Sequence, residues 1–120
     1  MQFYSPKTSA AEERNYKVRL LGVDGANPTK ELGQGITASR TGEGAYRLVF
    51  ATNPGTFVGW SCNFGAATPA DLKGYTAVRD TWDATNLRLD FVIYDSTFTA
   101  ADIIANQYAD VVVTFKETSA

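Results

Sequence analysis

Histidine is absent from the 120 residues, and cysteine occurs once, at Cys62. The first absence excludes Ser-His-Asp and Cys-His nucleophilic catalysis together with the common zinc sites. The second excludes an intrachain disulfide and any thiol-rich metal site, and it suits folding in a reducing cytosol. No apolar run approaches the roughly 20 residues of a membrane-spanning helix, and Met1-Gln-Phe-Tyr-Ser-Pro6 lacks the basic-then-apolar order of a signal peptide. The chain is therefore expected to be made in the cytoplasm and used there or released by lysis, with no membrane partner. A dense basic face is missing too. Eleven basic against thirteen acidic residues leave a net charge of −2, which argues against a nucleic-acid partner. The charge is unevenly spread: seven basic and five acidic residues in positions 1–60, four and eight in 61–120. Such asymmetry can orient subunits in an assembly, although surface charge commonly serves solubility alone.

What is present points to strands. An apolar content of 44 %, aromatics at 12 % and ten glycines, with many Thr, Val and Tyr, favour sheet and turn over helix. The length suits one domain with one core. Residues 1–14 lack strand alternation and read as an N-terminal arm, and 15–120 as a single domain. The adjacent Phe3 and Tyr4 give the arm something to bury, against a neighbour or back on its own domain.

Alternation marks strands at Asn15–Asp24 (Tyr16, Val18 and Leu20 inward), Ile36–Arg40, Ala45–Thr52, Phe57–Ala66, Tyr75–Trp82, Leu87–Tyr94 and Asp110–Glu117. The best-defined local unit is the hairpin Ile36–Thr52, turning at Thr41-Gly42-Glu43-Gly44. In Phe57–Ala66 the spacing puts Val58, Trp60, Cys62 and Phe64 on one face, so Cys62 is expected as a small core residue. Short helical turns are expected at Thr68–Gly74, with Pro69 at the first helical position, and at Thr99–Asn106, where Asp102 follows a Thr cap by three residues. The sum is an all-β fold, an antiparallel β-sandwich or jelly roll of about seven to eight strands with one or two short helical turns.

Gly33-Gln-Gly35-Ile-Thr-Ala38 has the form of a dinucleotide-binding fingerprint, but β-type residues follow it where a helix must open, so no cofactor is expected there or elsewhere. Without histidine the remaining chemistry is carboxylate chemistry. Asp80 and Asp83 flank Trp82, an arrangement open to a glycosidase pair or to a sugar-binding platform. Against this, Asp83 and Asp95 stand at strand ends, where Asp makes turns, and no Asp-x-Asp-x-Asp-Gly calcium loop exists. No catalytic or metal-binding residue is assigned, and the chain is expected not to be an enzyme.

Gly35-Ile-Thr-Ala-Ser-Arg-Thr-Gly-Glu-Gly-Ala-Tyr-Arg-Leu-Val-Phe50, with Asn53-Pro-Gly-Thr-Phe-Val58 and Tyr94-Asp-Ser-Thr-Phe98, resembles small tailed-bacteriophage virion proteins and their fibre domains over residues 34–117. The resemblance implies a head decoration or cement protein on the capsid surface, a homotrimer whose partner is the major capsid protein or another virion protein. A tail or head-fibre component, or a receptor-binding carbohydrate module with Trp82, Asp80 and Asp83 as its platform, is the alternative. On that reading Val92, Tyr94 and Val112, apolar but outward, are the expected subunit contacts. Phe3, Tyr4 and Arg14 are the expected capsid contacts.

Overall fold

A computed structural model describes residues 13–68 and 74–116. Eight strands run through them: β1 (Glu13–Leu21), β2 (Thr29–Lys30), β3 (Ile36–Gly42), β4 (Ala45–Phe50), β5 (Thr56–Ala66), β6 (Thr76–Asp83), β7 (Arg88–Tyr94) and β8 (Gln107–Lys116). They form two antiparallel four-stranded sheets, ordered β2-β1-β8-β5 and β3-β4-β7-β6. β3–β4 and β6–β7 are hairpins inside one sheet, and β1 and β8 bring the two ends of the described chain together along nine paired residues from Glu13↔Lys116 to Leu21↔Tyr108.

The sheets are held face to face by the alternation read from the sequence. Val18 and Leu20 of β1 and Ala109, Val111, Val113 and Phe115 of β8 meet Ile36, Tyr46, Leu48, Phe50, Leu89, Phe91 and Ile93 of the opposite sheet, all of them buried. β8 is buried at every second residue from Gln107 to Phe115, the pattern of a strand with one face in the core. Phe115 lies at the centre of an aromatic cluster, its ring 5.0 Å from Trp82, 5.3 Å from Phe50, 5.6 Å from Tyr16 and 5.9 Å from Phe57. Edge-to-face pairs of this kind add to plain area burial because positive ring edges meet negative faces.

Several expectations are revised. Residue Val58 does not share the core face with Trp60, Cys62 and Phe64. A bulge between Phe57 and Gly59 shifts the register against β8, so Phe57 packs inward and Val58 is left 51 % exposed. The sequence reading assumed unbroken alternation, which one extra residue overturns. Thr99–Asn106 is not helical. Its donors are spent elsewhere: Ala101 N–H on Ile93 O (3.0 Å), Ile103 N–H on Tyr46 Oη (3.1 Å) and Ile104 N–H on Gln107 Oε1 (2.8 Å). A segment whose N–H groups are taken by partners outside it has few left for an i→i−4 ladder. Among the described residues there is no helix at all, and the turn expected over Thr68–Gly74 falls largely outside them. β1 begins at Glu13, so the last two residues of the expected arm, Glu13 and Arg14, belong to the sheet. Thr29–Lys30, read as loop, pairs with Leu21 and Leu20; two residues are too short to show a period. After Gly33 and Gly35, both at positive φ, the chain enters β3, as the rejection of the dinucleotide motif requires.

Truncating the aromatic centre separates these roles. Phe115→Ala is expected to cost about 3–5 kcal/mol in chemical denaturation, while Val58→Ser on the bulge should stay within about 0.5 kcal/mol of wild type.

Candidate functional site

Two of the acidic residues, Asp83 and Asp95, are engaged in turns. Asp83 Oδ1 accepts the Thr85 and Asn86 N–H groups at 2.9 and 3.0 Å, and its Oδ2 accepts Asn86 Nδ2 at 2.8 Å. Asp95 Oδ1 accepts Thr97 N–H and Oγ1–H at 2.8 and 2.7 Å and Thr99 N–H at 3.1 Å. Both lie below the usual carboxylate range, Asp83 chiefly through the Asn86 side chain and Asp95 chiefly through Thr97. These are Asx turns, a local solution to orphan backbone donors.

Asp102 does more. Both its oxygens accept Arg40 Nε at 3.0 Å, and Oδ1 also accepts the Gly44 N–H at 2.7 Å. Burial by itself raises its carboxyl, but the hydrogen bonds from Arg40 and Gly44 outweigh that and hold it below the ordinary value. Gly44 is obligatory here: it sits at φ +72°, and a Cβ would meet Ala101 N at 2.6 Å. The β3–β4 turn is thereby fastened to the β7–β8 connection. Two further bidentate pairs brace the outer faces, Arg47 with Asp90 (2.8 and 3.1 Å) and Arg19 with Asp110 (2.7 and 2.9 Å). The Cys62 thiol is pushed up to about 12, by burial first and then by the Asp110 charge, which keeps it protonated and unreactive at neutral pH. No group of three or more potential metal ligands occurs among the described residues.

Trp82 is not a free platform. Its ring stacks on Phe57 (6.0 Å, 17°) and meets Phe50 and Phe115 edge-on. What remains of it lines a cleft of about 370 Å³ with Asn53, Gly55, Thr56, Phe57 and Ala84. Asp80 is the exposed extra residue of the bulge between Arg79 and Thr81, and neither Asp80 nor Asp83 lines that cleft. Of the expected trio, Trp82 alone lines the cleft.

The expected contact residues also divide. Val92 and Tyr94 lie on the outer face of the β3-β4-β7-β6 sheet, with Ala45 and Val78 directly opposite Val92 on the flanking strands. Val112 faces outward from the other sheet, opposite Lys17 and Ser61, so the three are divided between two outer faces. Arg14 stands opposite Phe115 at the start of β1, and Phe3 and Tyr4 lie outside the described residues. Two apolar residues join Val92 and Tyr94 that the sequence reading passed over. Val78 is 48 % exposed, and Phe98 is 79 % exposed with φ +62°, its ring 6.1 Å from Tyr94. The alternation Thr76-Ala-Val78 carried the signal for Val78; nothing short of the loop geometry carried one for Phe98. No family model, curated protein or solved structure matches the chain.

Acid titration tests the Asp102 connection. The folded carboxyl lies below its unfolded value of about 3.9, so the unfolded chain takes up its proton first. The stabilisation is complete above about pH 5 and is lost as pH falls through the folded value. The melting temperature of wild type should therefore fall more steeply between about pH 5 and 2 than that of Asp102→Asn, which is already lower at neutral pH.

Proposed function

We propose that this chain is a non-enzymatic structural protein of a phage virion, a head decoration or cement protein that binds the capsid lattice as a homotrimer. The observation that carries its assembly role is the apolar end of one outer face, where Ala45, Val78, Val92 and Tyr94 run side by side and Phe98 projects beyond them. Further along that face Arg47 pairs with Asp90, and Val49 stands between Thr37 and Arg88. An apolar cluster rimmed by polar residues is the make-up of a contact surface, and Phe98 has the size of an anchoring residue. The capsid as partner follows from the resemblance described above. A small oligomer on a repeated lattice gains avidity from several modest contacts.

Sedimentation and binding to procapsids test this together. Wild type is expected to be trimeric at micromolar concentration and to bind. Val78→Lys with Val92→Lys should weaken the trimer at least about tenfold, because it buries charge at the contact. A wild-type monomer that leaves procapsids bare overturns the proposal.

The receptor-binding reading draws on one observation, the cleft beside Trp82. Because Trp82 is part of the core, its truncation would not separate binding from folding. Ala84→Trp, which fills the cleft from an exposed turn, should abolish glycan-array binding if this reading is correct, with the melting temperature unchanged.

A further inference from the structure

Two sheets have four edges, and three of them are blunted. β2 pairs only with Leu20 and Leu21, so β1 forms most of that edge, and it carries Glu13, Arg14, Lys17 and Arg19; β3 carries Arg40 and a bulge between Arg40 and Gly42; β6 carries Arg79, Asp80 and Asp83 and a bulge between Arg79 and Thr81. Short length, charge and bulges are the means by which a sheet edge is kept from pairing with another chain. β5 differs. It is eleven residues long, Thr-Phe-Val-Gly-Trp-Ser-Cys-Asn-Phe-Gly-Ala, with no charged residue and no proline. Its bulge lies close to its start, and from Trp60 to Ala66 the register with β8 is unbroken.

The backbone phase of this edge can be read. Ala67 N–H bonds to Asn106 O, extending the β5–β8 ladder. In an antiparallel pair the residues alternate between addressing the partner strand and facing away from it. Gly65, Asn63 and Ser61 therefore address β8, and the N–H and C=O groups of Trp60, Cys62 and Phe64 point off the edge. The side chains of these three turn toward the core yet remain only partly buried, because nothing among the described residues flanks them in the sheet.

We infer that the β5 edge is a two-fold self-association site at which β5 of a second copy adds antiparallel. The two sheets then become one, ordered β2-β1-β8-β5-β5-β8-β1-β2. A second copy fits for two reasons. The strand is neutral, so two of them meet without like charges opposed. Each copy also presents the same outward groups, so a single isologous contact satisfies both edges and covers Trp60 and Phe64 on both sides. This contact is separate from the Val92 face and adds to the trimer reading without depending on it.

The test is sedimentation over a wide concentration range, combined with amide hydrogen exchange. Even-numbered species are expected: pairs of trimers in wild type if the trimer reading holds and dimers if it does not, and dimers in the Val78→Lys, Val92→Lys variant in either case. Ser61→Lys with Asn63→Lys, at two exposed outer-face positions, should weaken the pairing at least tenfold and leave the melting curve unchanged; Ser61→Thr with Asn63→Thr should keep it. The amides of Trp60, Cys62 and Phe64 should exchange more slowly as concentration rises. Three results overturn the inference: only monomers or trimers at the highest concentration, pairing undiminished in the double-lysine variant, or slow exchange at these amides that is independent of concentration.

Discussion

The packing of Phe115 against Tyr16, Phe50, Phe57 and Trp82 is the contact on which the rest depends, because it joins β8 to β1, β4, β5 and β6 at one end of the sandwich. It also sets the local geometry of β5. Phe57 reaches this cluster only because the bulge before Gly59 turns it inward, and the cost of that turn is an exposed Val58. The same packing takes up one side of Trp82 and leaves the remainder in the cleft with Asn53 and Ala84. A tryptophan with three ring partners contributes to the core first.

At the opposite end the organising element is ionic. Asp102 gathers Arg40 and the Gly44 N–H, and Tyr46 Oη accepts the neighbouring Ile103 N–H, so the irregular return from β7 to β8 is fastened to the β3–β4 hairpin without a helix. The Tyr46 hydroxyl is pushed up to about 12, burial being the largest cause, and stays protonated. Asp83, Asp95 and Asp102, all held below the ordinary carboxylate value, are the groups that fix turns and the β7–β8 connection.

With the interior so occupied, the contacts proposed above fall to the outer surfaces. The outer face carrying Val78, Val92, Tyr94 and Phe98 offers apolar area, and β5 offers backbone hydrogen-bonding groups on an uncharged strand. These are two different kinds of adhesion: side-chain burial in one case, sheet extension in the other. A small protein with both can connect copies in two directions.

Alternation was enough to place β1, β4, β7 and the second part of β8, because a period of two with one dry face leaves little choice of register, while the start of β8 at Gln107 and the end of β1 at Leu21 differ from the expected Asp110 and Asp24. The hairpin at Gly42–Gly44 was equally legible, since turn chemistry is local. The lack of histidine and the single cysteine were legible as well, since composition needs no fold to be read. Only the tertiary structure decided the rest. The bulge at Val58, the loss of a helix at Thr99–Asn106, the Trp82 packing and the separation of Val112 from Val92 all turn on partners far away in sequence. Asp102 reads as a helix cap until Arg40, 62 residues earlier, claims it, and a local pattern holds no record of so distant a partner.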